Sequence, residues 1–408
     1  MHLVKSLFHF SFFSIRIFIV VLLLSTASSS KAQDSCSLQI SLLTCGSGED
    51  LYSCYGHSAL RISDTCRGSD WVYNYGTFNF GDPDFYWKFT RGKLAYYLNV
   101  ESFTGFMQNY AQEGRRVQEQ VLDMPAADAL ALQSFLQNNA KEENKYYRYD
   151  FLFDNCSTRL RDLFPRQFGT RFHFGHAMSN DSCSFREVLD FYERRIPTTR
   201  LGINILMSHR VDERMSNEQS MFLPDYLMGG LSDATLDGHF IVKQTRELLP
   251  DVQDMPSPTN WASYSAWLLL LTIVFLSMAK PGIRKYLLYF DVLFFMILGL
   301  LGCFMLFMWL GTEHEVCRYN RNLLWAFPLH LVFAFLLARD SPKVQPYARY
   351  ASSLLVLSLF YNFFAQQDIP SEITPILWLI LFRLSKYSSR IQWSQVSQTF
   401  RYASAFRS

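Results

Sequence analysis

The stretch FDNCSTRLRD, Phe153 to Asp162, places a cysteine where a loop turns into a helix. Asp154 and Asn155 are residue types that cap helix N-termini, and Thr158-Arg159-Leu160 continues with helical chemistry. A thiol at that position feels the positive end of the helix dipole, which favours thiolate. Cys156 therefore reads either as a nucleophile or as one half of a disulfide in an exported domain, and the rest of the chain must decide.

The compartment comes first. Lys5 and Arg16 precede the apolar run Ile17–Leu24, and STASSSKAQ follows, which is the basic, apolar and small-residue order of a secretory signal. Ala32 suits the last residue before cleavage, with an uncleaved signal anchor as the plainer alternative. No Leu-x-x-Cys lipobox lies nearby, so the chain is not expected to be a lipoprotein itself. A net charge of +2 over 408 residues offers no basic field, and no nucleic-acid-binding motif occurs, so nucleic acid is not an expected partner.

Composition shifts near Pro256-Ser257-Pro258. Beyond it come the apolar runs Trp261–Ala279, Tyr286–Leu310, Leu323–Ala338, Ala351–Ala365 and Ile373–Leu384. A span needs about 20 apolar residues, so the first two suffice and the last three are short. About five transmembrane helices are expected, with four as the alternative. Basic residues (Lys280, Arg284, Lys285; Arg339, Lys343, Arg349; Lys386, Arg390, Arg401, Arg407) follow the first, third and fifth runs, whereas Glu313, Glu315, Asp368 and Glu372 occupy the alternate loops. The positive-inside rule puts the basic loops in the cytoplasm and the acidic ones outside, with the N-terminal domain. The expected division is a signal peptide at 1–32, an exported catalytic domain at 33–255, a transmembrane domain at 261–386 and a cytoplasmic tail at 387–408.

Cys36, Cys45, Cys54, Cys66, Cys156 and Cys183 fall in the exported part and Cys317 in an external loop. That odd number leaves at least one thiol free or paired between chains, which permits a free Cys156 without demanding it. Cys303 lies in a span and reads as a small apolar residue. Cys54 and His57 form a Cys-x-x-His pair with no second pair at zinc-like spacing, so no metal is expected and no cofactor is implied.

Upstream of Cys156, His57, Ala59 and Arg61 alternate with Ser58, Leu60 and Ile62, a period of two that predicts a strand starting at His57. A second strand is predicted over Trp71–Phe78, with Asn74 near its middle. A thiol nucleophile needs an imidazole within hydrogen-bond reach and a third polar group to hold the ring's tautomer. Histidine at a strand edge and cysteine at a helix start can face each other rigidly, and Asn74 on the next strand can hold the other ring nitrogen.

GHSALRI followed by DNCSTRLRD resembles the permuted papain-like group related to NlpC/P60 peptidases and lecithin-retinol acyltransferase, in which the histidine strand precedes the Asn-Cys helix. The fuller pattern is LLTCGSGEDLYSCYGHSALRI, YNYGTFNFGDP, FTRGKLAYYL, EGRRVQEQ, YRYDFLFDNCSTRLRD and TEHEVCRYNRNLLWAFPLHL. It resembles the Lnb family of bacterial lipoprotein N-acyltransferases from about residue 36 to the last spans. The resemblance implies an α+β permuted papain-like domain in the periplasm, joined to an all-α membrane domain in the bacterial inner membrane. It also implies acyl transfer from a phospholipid to the α-amine of a diacylglyceryl-cysteine at a lipoprotein N-terminus. By position, Cys156 matches the nucleophile and His57 the general base; Asn74 stands where related enzymes often have histidine.

Other residues are read from their chemistry alone. Arg115 and Arg116 would suit a lipid phosphate, or pair with Glu113 or Glu119. Arg159 would act on the thiol or on packing, and His173 and His176 sit in a Phe-rich loop that reads as a membrane-facing rim or a solvated loop. His314 and Asn322 would shape the acceptor site from the external loop. Asp291, inside a span, reads as structural or as part of a polar path. Two competing functions stay open: a membrane-anchored cysteine peptidase or amidase acting on cell-wall peptides, and a non-catalytic protein that binds lipidated partners.

Overall fold

The computed structural model describes residues 37–178, 183–253, 259–278, 281–365 and 367–389. The expected signal peptide, Cys36, the Pro256-Ser257-Pro258 boundary, Lys280 and the tail from 390 onward lie outside the described residues. The N-terminal part is a mixed α/β domain and the C-terminal part is helical.

One antiparallel sheet organises the first domain. Its strands are β1 (Leu38–Cys45), β2 (His57–Asp64), β3 (Ser69–Thr77), β4 (Ala95–Ser102), β5 (Val117–Leu122), β6 (Tyr146–Arg148) and β7 (Val242–Leu249). They run in the order β7-β5-β1-β2-β3-β4-β6. β1 is buried at every residue from Ile40 to Cys45, as a strand covered on both faces must be. On one face Leu42, Leu60 and Tyr73 pack against α3 (Ala126–Asn139), α4 (Cys156–Phe168) and α7 (Pro224–Ser232). On the other, Leu43, Ala59 and Val72 pack on Phe106 of α2 (Phe103–Gln112). Arg61 ties three strands together: it holds both oxygens of Asp70 at 2.8 and 2.6 Å and reaches the fully buried Glu119 at 2.8 Å. Such a buried charge is tolerable because it is paired.

Two further helices, α5 (Phe185–Glu193) and α6 (Pro197–Leu206), reach toward the second domain before the chain returns to the sheet through α7 and β7. Leu201, Ile205 and Leu206 of α6 pack on the apolar core of the helical region. Polar contacts reinforce this seam: Asn320 and Asn322 donate to the carbonyls of Ile205 and Leu206 at 2.7–2.9 Å, and Arg200 pairs with Glu372.

The helical region contains α8 (Trp261–Met278), α9 (Arg284–Leu310), α10 (His330–Ala338), α11 (Val344–Ala365) and α12 (Thr374–Ser388). Among the described residues, α8 and α9 are long and apolar enough to cross a membrane. The expected span Leu323–Ala338 is not one helix. A 3-10 turn at Arg321–Leu324 precedes the nine-residue α10. The polar groups explain the break: Asn320 accepts the Asn322 N–H at 2.9 Å, Asn322 accepts the Trp325 indole at 2.9 Å, and Pro328 has no N–H to give. The chain there approaches α9 closely. A Cβ on Gly302 would stand 2.0 Å from the Ala326 carbonyl oxygen, and one on Gly299 2.2 Å from the Leu331 nitrogen. Small residues permit this backbone-to-backbone packing.

Asp291 of α9 is fully buried and held by both arms of Arg383 of α12 at 2.7 and 2.6 Å, with the Tyr387 hydroxyl as a further donor. Arg383 also donates to Ser277 of α8 at 2.7 Å, so three helices share one neutral cluster. Gly302→Ala should lower the unfolding midpoint of the detergent-solubilised protein, by an overpacking cost of about 1–3 kcal/mol. Gly282→Ala, where an added Cβ meets nothing within 4 Å, should leave it unchanged in the same thermal melt.

Candidate active site

Cys156 is the first residue of α4 because the residue before it is built to cap a helix. Asn155 is extended, and its side-chain oxygen accepts the N–H groups of Ser157 and Thr158 at 2.8 and 2.9 Å. The Thr158 hydroxyl returns the contact by accepting the Asn155 N–H at 2.7 Å. The Asn155 amide then donates to the carbonyls of Phe151 and Phe222 at 2.7 and 2.9 Å. This residue is buried and its whole hydrogen-bonding capacity is spent on holding the helix start in place.

The sheet meets that start at β2. Ser58 and Ser157 share a buried hydroxyl contact of 3.0 Å, which clamps the histidine-bearing strand to the cysteine-bearing helix. Pairing of Arg61 with Val72, and of Val72 with Glu101, puts His57, Asn74 and Glu101 on one face by strand alternation. Glu101 accepts the Asn74 amide at 2.7 Å, which orients the Asn74 oxygen toward His57 Nε2 at 3.2 Å. An amide oxygen only accepts, so Nε2 carries the hydrogen and Nδ1 is left for the sulfur. His57 and the Cys156 thiol are close enough that each shifts the protonation of the other.

The thiol is free, as are Cys45, Cys54, Cys183, Cys303 and Cys317, whereas Cys66 is disulfide-bonded. Gly76 lies beside Cys156. This residue has φ 84° where the β3–β4 pairing shifts register, and a side chain there would stand 3.6 Å from Cys156 Cβ and 3.8 Å from the Tyr149 ring.

The electrostatics favour an ion pair. Burial opposes ionisation of the Cys156 thiol, but the His57 charge and hydrogen bond, the Ser58 backbone N–H and the Ser157 hydroxyl outweigh it and hold the thiol below its ordinary range. Burial likewise opposes protonation of His57, yet the Cys156 charge, the bond to the sulfur and the bond to Asn74 raise it. Burial pushes the Glu101 carboxyl up, with the His57 charge pulling the other way. A thiolate beside an imidazolium is the reactive form of a cysteine nucleophile.

The other residues singled out from sequence do not join this cluster in the same way. Arg115 is buried; it donates to the Gly46 carbonyl at 2.9 Å and to Glu113 at 2.8 Å, lies over the Tyr110 ring, and keeps a buried Nη2 without a partner. Its charge opposes protonation of His57, which puts it near the site. Arg159 is held by both oxygens of Asp154 at 2.6 and 2.8 Å and lies over Tyr147. It lines a cavity of about 450 Å³ with Tyr75, Phe135, Asn139 and Arg166. Nε2 of His314 sits 3.1 Å from the carbonyls of Phe89 and Thr90, and Asn322 binds Ile205; both stand at the seam between the domains. Sequence reasoning missed Glu101, Ser58 and Ser157. The first emerges only from the register of β3 on β4, and no local pattern marks it.

Site-resolved alkylation of Cys156 by iodoacetamide, followed by mass spectrometry against pH, tests the ion pair. The midpoint should lie below that of an ordinary cysteine, because the depressed thiol is already thiolate there. His57→Ala should move it upward, because burial then loses its largest opponent, the His57 charge and hydrogen bond. Glu101→Gln should leave the fold intact and slow alkylation at neutral pH by about 3- to 10-fold, the worth of one orienting hydrogen bond.

Two family models match the chain: the Lnb N-terminal periplasmic domain over residues 26–188 and the Lnb transmembrane domain over residues 252–392. No curated protein and no solved structure matches it. The thiol–imidazole site and the helical region beyond it fall within these two matches, one after the other as in a single protein. The chain belongs to the Lnb family, as an inner-membrane protein with a periplasmic N-terminal domain.

Proposed function

We propose that this protein moves a fatty acyl group from a phospholipid, through a thioester on Cys156, to the α-amine of the N-terminal diacylglyceryl-cysteine of a lipoprotein. The coarser assignment, lipoprotein N-acylation at the membrane, follows the family. The observation that carries the finer one is the free Cys156 thiol at the head of a capped helix, electrostatically coupled to His57.

The Cys156 thiolate attacks the ester carbonyl of the phospholipid. A C–S bond forms, the ester C–O bond breaks, and the departing alkoxide takes the proton held by the His57 imidazolium. That leaves a lysophospholipid and an acyl-enzyme. Next the lipoprotein amine attacks the thioester carbonyl, neutral His57 accepts the amine proton, a C–N bond forms and the thiolate departs. A thioester is far more reactive toward amines than an oxygen ester, so two easier steps replace one hard one. The developing oxyanion needs donors that do not reorganise. The Cys156 backbone N–H suits this role, since the Asn155 cap engages the N–H groups of the next two residues. Asn74 and Glu101 act as positioning residues through His57.

In this reading the first domain is a permuted papain-like fold, with the histidine strand ahead of the Asn-Cys helix, and all five C-terminal helices form the membrane domain. Both substrates are bilayer lipids, which gives a thiol enzyme reason to sit on membrane helices; a cell-wall peptidase has no such need. Intact-mass analysis of the full-length protein incubated with phospholipid vesicles should show a fatty-acyl adduct that hydroxylamine removes and that Cys156→Ala abolishes. In a strain relying on Cys156→Ala, lipoproteins should carry diacylated N-termini only. Full triacylation there would refute the assignment.

A further inference from the structure

Between the strand that carries Asn74 and the top of the membrane region, the chain reads FNFGDPDFYWKFT, Phe78 to Thr90. It ends in helix α1 (Phe85–Thr90), which buries none of its residues. Phe80, Tyr86, Trp87 and Phe89 are exposed at 64, 81, 55 and 50%, and Tyr52 beside them at 64%. Clustered exposed aromatics on this scale mark a surface that meets another apolar phase or partner.

The location of the cluster selects the phase. Trp87 stacks on Phe307, near the end of the span-length helix α9, with ring centroids 6.1 Å apart. Arg91 donates to the Gly311 carbonyl at 3.4 Å, and the Glu313 N–H donates to the Arg91 carbonyl at 2.9 Å. His314 adds its contacts to the carbonyls of Phe89 and Thr90. The helix is thus fixed at the level where α9 leaves the apolar region, where amphipathic aromatic rings concentrate in membrane proteins.

The cluster also points inward. Phe80 meets Phe78 at 4.8 Å, Phe78 meets Tyr96 at 5.2 Å, and Tyr96 stacks on Tyr149 at 4.2 Å. The Tyr149 ring lies against Gly76, whose other neighbour is Cys156. A line of rings therefore runs from the exposed patch to Gly76, beside Cys156.

We infer that the segment Phe78–Thr90 dips into the outer surface of the bilayer and forms an aromatic ramp, which binds a fatty acyl chain of a membrane phospholipid and leads it to Cys156. As a donor path it rests on the acyl-transfer reading above; as a lipid-binding surface it does not.

The test uses the full chain in vesicles of phosphatidylethanolamine and phosphatidylglycerol doped with a phospholipid that carries a diazirine on one acyl chain. After irradiation, mass spectrometry should find lipid adducts within residues 78–90 in both wild type and Cys156→Ala. Adducts confined to residues 261–388 would overturn the ramp. In the double variant Tyr86→Ser/Phe89→Ser, two exposed positions, the adducts and the hydroxylamine-labile acyl-enzyme should both fall by about tenfold or more, the loss expected from removing two aromatic contacts. Iodoacetamide should still alkylate its Cys156 at the wild-type rate, which excludes damage to the thiol site. An undiminished acyl-enzyme in that variant would overturn the ramp. Adducts at 78–90 without any acyl-enzyme in the wild type would support the lipid surface while refuting the acyl-transfer reading.

Discussion

The contact between Ser58 and Ser157, buried and 3.0 Å long, is the joint on which the site depends. One hydroxyl follows His57 by a single residue; the other follows Cys156 by one. Fixing that pair fixes the strand end against the helix start, and the imidazole and the thiol inherit their separation from it. Asn155 closes the other side by tying the first turn of the helix to Phe151 and Phe222, so neither partner can drift without breaking buried hydrogen bonds. Preorganisation of this kind favours ionisation of a partly buried thiol, because its stabilising groups are in place before any substrate arrives.

A second constraint couples this site to the membrane region. The seam joins short, directional contacts to the apolar side of α6. Glu313 binds Arg148 at 2.8 Å and Lys93 at 3.5 Å, Arg210 binds Glu315 at 2.8 Å, and the Ser208 N–H donates to the Val316 carbonyl at 2.8 Å. Exposed ion pairs of this sort contribute little stability individually. Their value here is orientation: together with the apolar side of α6 they hold the periplasmic domain at a set height over the helices.

The parts of this arrangement that were legible in the sequence are those with local signatures. Alternation around His57 and Asn74 declares strands, and Asn155 with Thr158 declares a helix start, because capping and pleating are decided within a few residues. Glu101 was hidden because its meeting with Asn74 needs the pairing of two strands that a helix separates. The Leu323–Ala338 run misled for the opposite reason. Its composition is apolar enough for a span, but Asn320, Asn322 and Pro328 redirect the backbone, and composition averages over such residues. Arg115 read as a phosphate binder and Arg159 as a group acting on the thiol or on packing; the fold commits much of their hydrogen bonding to Glu113 and Asp154.

The cluster of Asp291, Arg383 and Tyr387 bears on how the protein is made. α9 leaves the ribosome well before α12, so its carboxylate reaches the membrane without the guanidinium that neutralises it in the finished fold. A lone acid amid lipid tails is disfavoured and seeks water or a surrogate partner. A chain truncated before Arg383 would therefore leave that carboxylate without either of its partners on the last helix.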